Sequence, residues 1–247
     1  MALKRILEPE VMDTERDALE YDLMDFTEVN QAFATRAIEL APPSGRILDM
    51  ATGTARIPIL ILGQMQSKDL SIHAIDLSRQ MLKVARRNVE SARLNGRLTL
   101  ELVDAKDLRF RTAEFDMVIS NSLAHHVPRP SEFFIEVARV VRPGGGIFLR
   151  DLMRPKAVAD VNFLVQKYAA DADEYQRKLY RDSLYAALTL EEVECYVQEA
   201  GISEARIVQS SDRHWTVERA AKMVDPPQEG HQKSKAKPTP HSFLRTS

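Results

Sequence analysis

The chain has 247 residues, 44% of them hydrophobic, and its 34 basic against 36 acidic side chains leave a formal net charge of −2. That length suits one core-bearing domain with appendages, and the balanced charge argues against a nucleic-acid partner. A single cysteine, Cys195, excludes an intramolecular disulfide and fits a cytoplasmic setting; no apolar run approaches the ~20 residues of a membrane span, and MALKRILEPE lacks the apolar core of a signal peptide.

In chain order, the first predicted structure covers Thr14 to Leu40, where Leu19, Leu23, Phe26, Val29, Phe33, Ala37 and Leu40 recur at helical spacing. One or two amphipathic helices are expected there, ending before Pro42-Pro43. RILDMATGTARIPIL, residues 46–60, then reads as a buried strand, a tight turn on Gly53 and a helix N-terminus, where backbone N–H groups stay free to hold a ligand. LSIHAIDLS (70–78) repeats the pattern, ending in Asp76 with Ser78 as a helix N-cap. LTLELVDAKDL (98–108) ends in Asp104, and FDMVISNSLAHHV (115–127) closes on Ser120 and Asn121. ARVVRPGGGIFLRD (138–151) supplies a fifth strand.

Strands alternating with helices at this spacing predict an α/β, doubly wound fold whose ligands sit outside the carboxyl ends of the strands. Asp49, Asp76, Asp104 and Asn121 all fall at those ends. Farther on, Pro155 to Ala187 carries Tyr168, Tyr175, Tyr180 and Tyr185 in a helical, charge-laced context before a helix near Leu190. Cys195 is expected in the core face of that helix. Ile202 to Val208 and His214 to Val217 read as an antiparallel final strand pair, with Trp215 packing on it. Residues 223–247 are too polar to bury a core and are expected to form an unfolded tail.

The ordered motifs between Arg46 and Asp151 resemble the class I S-adenosylmethionine-dependent methyltransferases, and within them the small-molecule, ubiquinone/menaquinone methyltransferase-like group. The resemblance implies a Rossmann-like, mostly parallel seven-stranded sheet with an antiparallel last strand, and S-adenosylmethionine as cofactor. The family's acid-x-Gly-x-Gly-x-Gly turn stands here as Asp49-x-Ala51-x-Gly53-x-Ala55, so only the middle glycine is kept. By resemblance this turn, with Thr52 and Thr54, wraps the methionine part. Asp76 would accept from the ribose hydroxyls, Leu77 would pack on adenine, Asp104 and Ala105 would read its edge, and Asn121 would complete the cofactor side.

The resemblance also implies an organisation: residues 1–44 as a helical lid segment, 45–222 as the methyltransferase domain, and 155–187 as a helical insertion covering the substrate. A homodimer face is the alternative for that insertion. His125 and His126, just past the fourth strand, are the candidate bases, because an imidazole titrates near neutral pH. Tyr21, Arg150, Asp151, Tyr168 and Tyr175 are expected on the substrate side, Phe33 is a further pocket candidate, and no metal is expected. Asn121 is followed by Ser122, Leu123 and Ala124, unlike the Asn-Pro-Pro-aromatic of amino-methylating nucleic-acid enzymes, which leaves a small-molecule acceptor. Two other readings remain. A nicotinamide oxidoreductase would need Gly-x-Gly-x-x-Gly, where Ala51, Gly53 and Arg56 stand; a catalytically silent S-adenosylmethionine-binding partner or sensor would keep the fold without transfer.

Overall fold

Along the central strands, apolar residues alternate strictly between two faces. In β1 (Gly45–Met50), Ile47 joins one core cluster and Leu48 and Met50 the other; in β4 (Phe115–Asn121), Met117 and Ile119 oppose Val118; in β5 (Val141–Leu152), Phe148 opposes Ile147 and Leu149. Successive strand side chains point to opposite faces, so a sheet apolar on both needs two covering layers. The computed structural model, which describes residues 3–8, 14–65 and 67–222, has both. On one face α2 (Thr27–Leu40), α3 (Arg56–Gln64) and α4 (Arg79–Ser91) bring in Phe33, Ala37, Ile61, Ala85 and Val89. The other face is covered by α5 (Pro130–Val140) and α8 (Leu190–Glu199) through Phe133, Phe134, Val137, Val193 and Val197.

The seven-stranded sheet runs β3 (Leu98–Leu102), β2 (Leu70–Asp76), β1, β4, β5, β7 (His214–Arg219), β6 (Arg206–Gln209). Pairing is parallel from β3 to β5, and β7 enters antiparallel between β5 and β6. This is the expected doubly wound α/β sheet, and Trp215 is buried on it. Strand order reverses direction between β1 and β4, which opens a crevice at their carboxyl ends.

The Thr14 to Leu40 segment forms two helices, α1 (Glu15–Leu23) and α2. Only α1 lies outside the sheet's layers. In α2, Phe33 is fully buried with its ring 4.4 Å from that of Phe148, so it packs the core and lines no pocket. Residues 155–187 form α6 (Val158–Tyr168) and α7 (Glu174–Ala186), which close a small core of their own around Val161, Val165 and Leu184 against Leu152.

Two local expectations are corrected. Cys195 is exposed, because the buried stripe of α8 runs through Val193 and Val197 and a residue two positions from each faces outward. The sixth strand starts at Arg206 and not at Ile202: Gly201 adopts a left-handed φ of 69°, the Ile202 N–H caps Val197 O at 3.0 Å, and Ile202 is buried under the end of α8. No helix among the described residues is long and apolar enough to cross a membrane. The expected tail, 223–247, lies outside the described residues.

Candidate functional site

The turn after β1 alternates left-handed residues, with φ 62° at Ala51, 57° at Gly53 and 63° at Ala55. Glycine adopts this region freely, whereas alanine pays about 1–2 kcal/mol for the crowding of its Cβ. At Ala55 the methyl is fully buried in the core beneath α3, so packing offsets the strain and the group points away from the ligand side. Ala51 is only half-buried and has no such offset. Ala51→Gly is therefore expected to raise stability by about 1 kcal/mol, a melting-temperature gain of roughly 2–4 °C by scanning calorimetry. An unchanged or lower melting temperature would deny strain at that position.

Asp76, at the end of β2, stitches two turns together. Its Oδ2 accepts the Gly53 N–H at 2.8 Å and its Oδ1 the Ser78 N–H at 2.9 Å, while the Ser78 hydroxyl accepts the Met81 N–H and caps α4. Burial raises the Asp76 pKa against these backbone donors. Tyr21 of α1 stands against Gly53, and burial followed by the Asp76 charge raises the pKa of its phenol. The structure therefore puts Tyr21 at the β1 turn. Two side chains pin α1 there: Arg56 Nη1 donates to Met24 O at 2.7 Å, and Asn88 Nδ2 donates to Asp22 Oδ1 at 3.1 Å and Thr54 O at 2.9 Å.

Along the same edge Leu77 is exposed, Ala105 is buried, and Asp104 accepts the Lys106 N–H at 2.9 Å with Lys106 Nζ at 3.2 Å. Asp49 is the unusual member. Its side chain is buried, its Oδ2 has no hydrogen-bond partner, and the nearby Thr54 hydroxyl has none either. Burial lifts the Asp49 pKa to about 7, with the Asp76 charge adding to the rise and the Thr52 hydroxyl opposing it. Because the folded-state pKa exceeds the unfolded one, stability from this group is complete below the ordinary carboxylate pKa and is lost as pH rises to about 7. The ligand-free protein should thus melt progressively lower as pH rises from about 4 to about 7, and Asp49→Asn should flatten that slope. Equal slopes in the two proteins would contradict the burial of an uncompensated charge.

On the other side of the crevice, consecutive residues of β5 point to opposite faces. Arg150 donates to Asn121 Oδ1 at 3.0 Å and to Val29 O at 3.1 Å, with its guanidinium 4.9 Å from the Phe33 ring. Burial, then the charge of Arg213, pulls its pKa down to about 10. Asp151 turns the other way, its Oδ1 2.5 Å from His125 Nδ1 and its Oδ2 accepting the His125 backbone N–H at 3.1 Å. Burial alone would push Asp151 up and His125 down. Their mutual attraction overcomes both, so the carboxyl sits below its ordinary value and the imidazole above.

His126 lies beside His125 with ring centroids 3.9 Å apart and ring planes tilted by 36°, and its side chain is 46% exposed. Sequence reasoning missed a third partner, Glu8. Its Oε1 lies 2.6 Å from His126 Nδ1 and 3.5 Å from His125 Nε2. No local pattern could reveal it, because a strap of residues 3–8 carries it in from far away in the chain. Arg5 fastens that strap by donating to Ala186 O at 2.6 Å and Val127 O at 2.9 Å. Of the tyrosines, Tyr168 donates to Asp212 at 2.7 Å beneath the Arg213 guanidinium, whereas Tyr175 is exposed and joins none of these groups.

Residues 47–145 match the methyltransferase domain family. The ubiquinone/menaquinone biosynthesis C-methyltransferase UbiE of Geotalea daltonii is 31% identical over 51% of this chain and 53% of its own length. The 27-O-demethylrifamycin SV methyltransferase of Amycolatopsis mediterranei is 25% identical over 69% of this chain and 60% of its own. The chain thus spans little more than half the length of these curated relatives. In fold, a Methanococcus maripaludis protein described as an S-adenosylmethionine-dependent methyltransferase superposes over 89% of this chain and 99% of that one, with a TM-score of 0.65 at 20% identity. Residues 47–145 thus match a methyltransferase domain, and the seven-stranded sheet that carries them has the fold of the superposed Methanococcus maripaludis structure.

Proposed function

We propose that this chain transfers a methyl group from S-adenosylmethionine to a small-molecule acceptor, with the cofactor lying along the carboxyl ends of β1 and β2. The observation that carries the reading is the buried Asp49 carboxylate, one oxygen without a partner, at the reversal of strand order. A buried acid is costly until a cation meets it, and the ammonium and sulfonium of the cofactor bring that charge. The neighbouring residues fit in kind. Asp76 keeps lone pairs for ribose hydroxyls beyond its two backbone donors, and the exposed Leu77 offers adenine an apolar surface. Ala51, Thr52, Gly53 and Thr54 form the turn around the methionine part, with Tyr21 above it; Asp104, Ala105 and Asn121 finish the edge.

When bound, the cofactor supplies an electrophilic methyl group. The chain's own task is to align an acceptor with it in a dry site, a contribution worth up to roughly 7–11 kcal/mol. We assign α1 as the lid, α6 and α7 as the substrate cover with Tyr168 on it, and Arg150, Asp151, His125 and His126 as the acceptor side. Both ring nitrogens of His125 already face carboxylates, so the proposal rests on orientation and takes no proton through that residue.

The names of the two relatives, one a C-methyltransferase of quinone biosynthesis and the other acting on 27-O-demethylrifamycin SV, support a small-molecule acceptor. A cytoplasmic setting and an acceptor other than nucleic acid belong to the same proposal, supported by one cysteine and a net charge of −2. So does a homodimer through the α6–α7 face, where Phe163, Val158 and Tyr175 are exposed. Incubating the chain and S-adenosylmethionine with phenols, quinol-like carbon acids and amines should give S-adenosylhomocysteine and a methylated product with at least one class. Cofactor binding with no S-adenosylhomocysteine across the panel would favour the silent sensor.

A further inference from the structure

Glu8, His125 and His126 each present one ligand atom, and the three atoms lie within 4.8 Å of one another. We propose that they form a binding site for a divalent first-row transition ion, with Asp151 orienting one of the ligands. The argument begins with the His125 tautomer. Asp151 occupies Nδ1 at 2.5 Å and accepts from the His125 and Leu152 backbone N–H groups as well. A carboxylate on one ring nitrogen fixes the proton there and turns the lone pair of the other outward, which is how metal-ligating histidines are held. That lone pair, on Nε2, faces Glu8 Oε1 at 3.5 Å. A lone pair and a carboxylate oxygen repel each other unless a positive centre stands between them.

A second observation points the same way. Glu8 Oε1 is buried and makes no hydrogen bond of acceptable geometry, although His126 Nδ1 is 2.6 Å from it. Proximity without donor alignment is what converging ligands show. The carboxylate is itself fixed: Ser183 Oγ donates to its Oε2 at 2.9 Å, and the strap that carries it is tied by Arg5 to Ala186 O and by the Ile6 N–H to Tyr185 O. Ligands at about 2.0–2.2 Å from a tetrahedral ion stand roughly 3.4 Å apart. The 3.5 Å pair already matches, and the 2.6 Å pair needs to open by less than about 1 Å.

Two imidazole nitrogens and one carboxylate oxygen suit Zn²⁺, Co²⁺ or Fe²⁺ better than Mg²⁺ or Ca²⁺, which prefer all-oxygen shells. The half-exposed His126 leaves an entry path and an open coordination position. The site shares His125, His126 and Asp151 with the acceptor side proposed above, and its test uses no turnover, so its failure and that of the methyl-transfer reading are distinguishable. Chelator-treated full chain is titrated with Co²⁺, followed by visible d–d absorption, and with Zn²⁺ by calorimetry. One equivalent should bind, with the intense visible bands of a low-symmetry nitrogen–oxygen site. Glu8→Gln and His126→Asn should each weaken binding by at least about tenfold, and Asp151→Asn by about 10–100-fold. His73→Asn, at a histidine paired with Glu101 on neighbouring strands, should leave the titration unchanged. His126 is exposed enough for its variant to fold, which circular dichroism verifies. Absence of stoichiometric binding, or Co²⁺ bands unaltered in His126→Asn, would overturn the proposal and leave a shared proton as the positive centre of the cluster.

Discussion

Asp76→Ala should weaken S-adenosylmethionine binding by about tenfold to a hundredfold. The carboxylate would accept charge-assisted hydrogen bonds from the ribose, and their loss costs about 1.5–3 kcal/mol in all. It also accepts the Gly53 N–H, so its removal frees the turn that is proposed to hold the methionine part. Calorimetric titration reads both effects in one constant. Asp76→Asn keeps an acceptor for one donor and should fall between wild type and alanine. Unchanged affinity in the alanine variant would remove Asp76 from the site.

His125→Ala should be the most destabilising single change near the crevice. Asp151 is almost fully buried and ionised, and stripping its partner leaves a buried charge, a loss of roughly 3–5 kcal/mol. For a chain of this size that is a fall of about 6–20 °C in melting temperature. Adding Asp151→Asn to His125→Ala removes the orphaned charge and should restore part of the loss, which identifies the pair and not the imidazole's volume as the cause. A melting temperature within about 2 °C of wild type in the single variant would mean that Asp151 finds water or takes up a proton at little cost.

The first five strands and the acids at their ends were legible because each is a short-range pattern: an apolar run, a terminal acid, a cap such as Ser78. The placing of Tyr21 was not. Its side chain is set by where α1 docks, and α1 docks through Arg56 and Asn88, residues that in sequence look like ordinary helix surface. Phe33 read equally well as pocket or core, and only its contact with Phe148 decides between them. Glu8 lay beyond any pattern, since its meaning comes from a strap whose anchor, Arg5, bonds to backbone carbonyls that carry no sequence signature. Ala51 and Ala55 were visible as departures from glycine, but their left-handed backbone and the inward turn of the Ala55 methyl are properties of packing.

The most direct test of the central claim is calorimetric titration of the full chain with S-adenosylmethionine at pH 8, where Asp49 is ionised on a pKa of about 7. One equivalent should bind, S-adenosylhomocysteine should compete for the same site, and NAD should give no heat. Binding should weaken as pH falls below about 7, because protonation of Asp49 removes the charge that meets the cofactor's cation. Absence of binding, or saturable heat with NAD instead, would contradict the account.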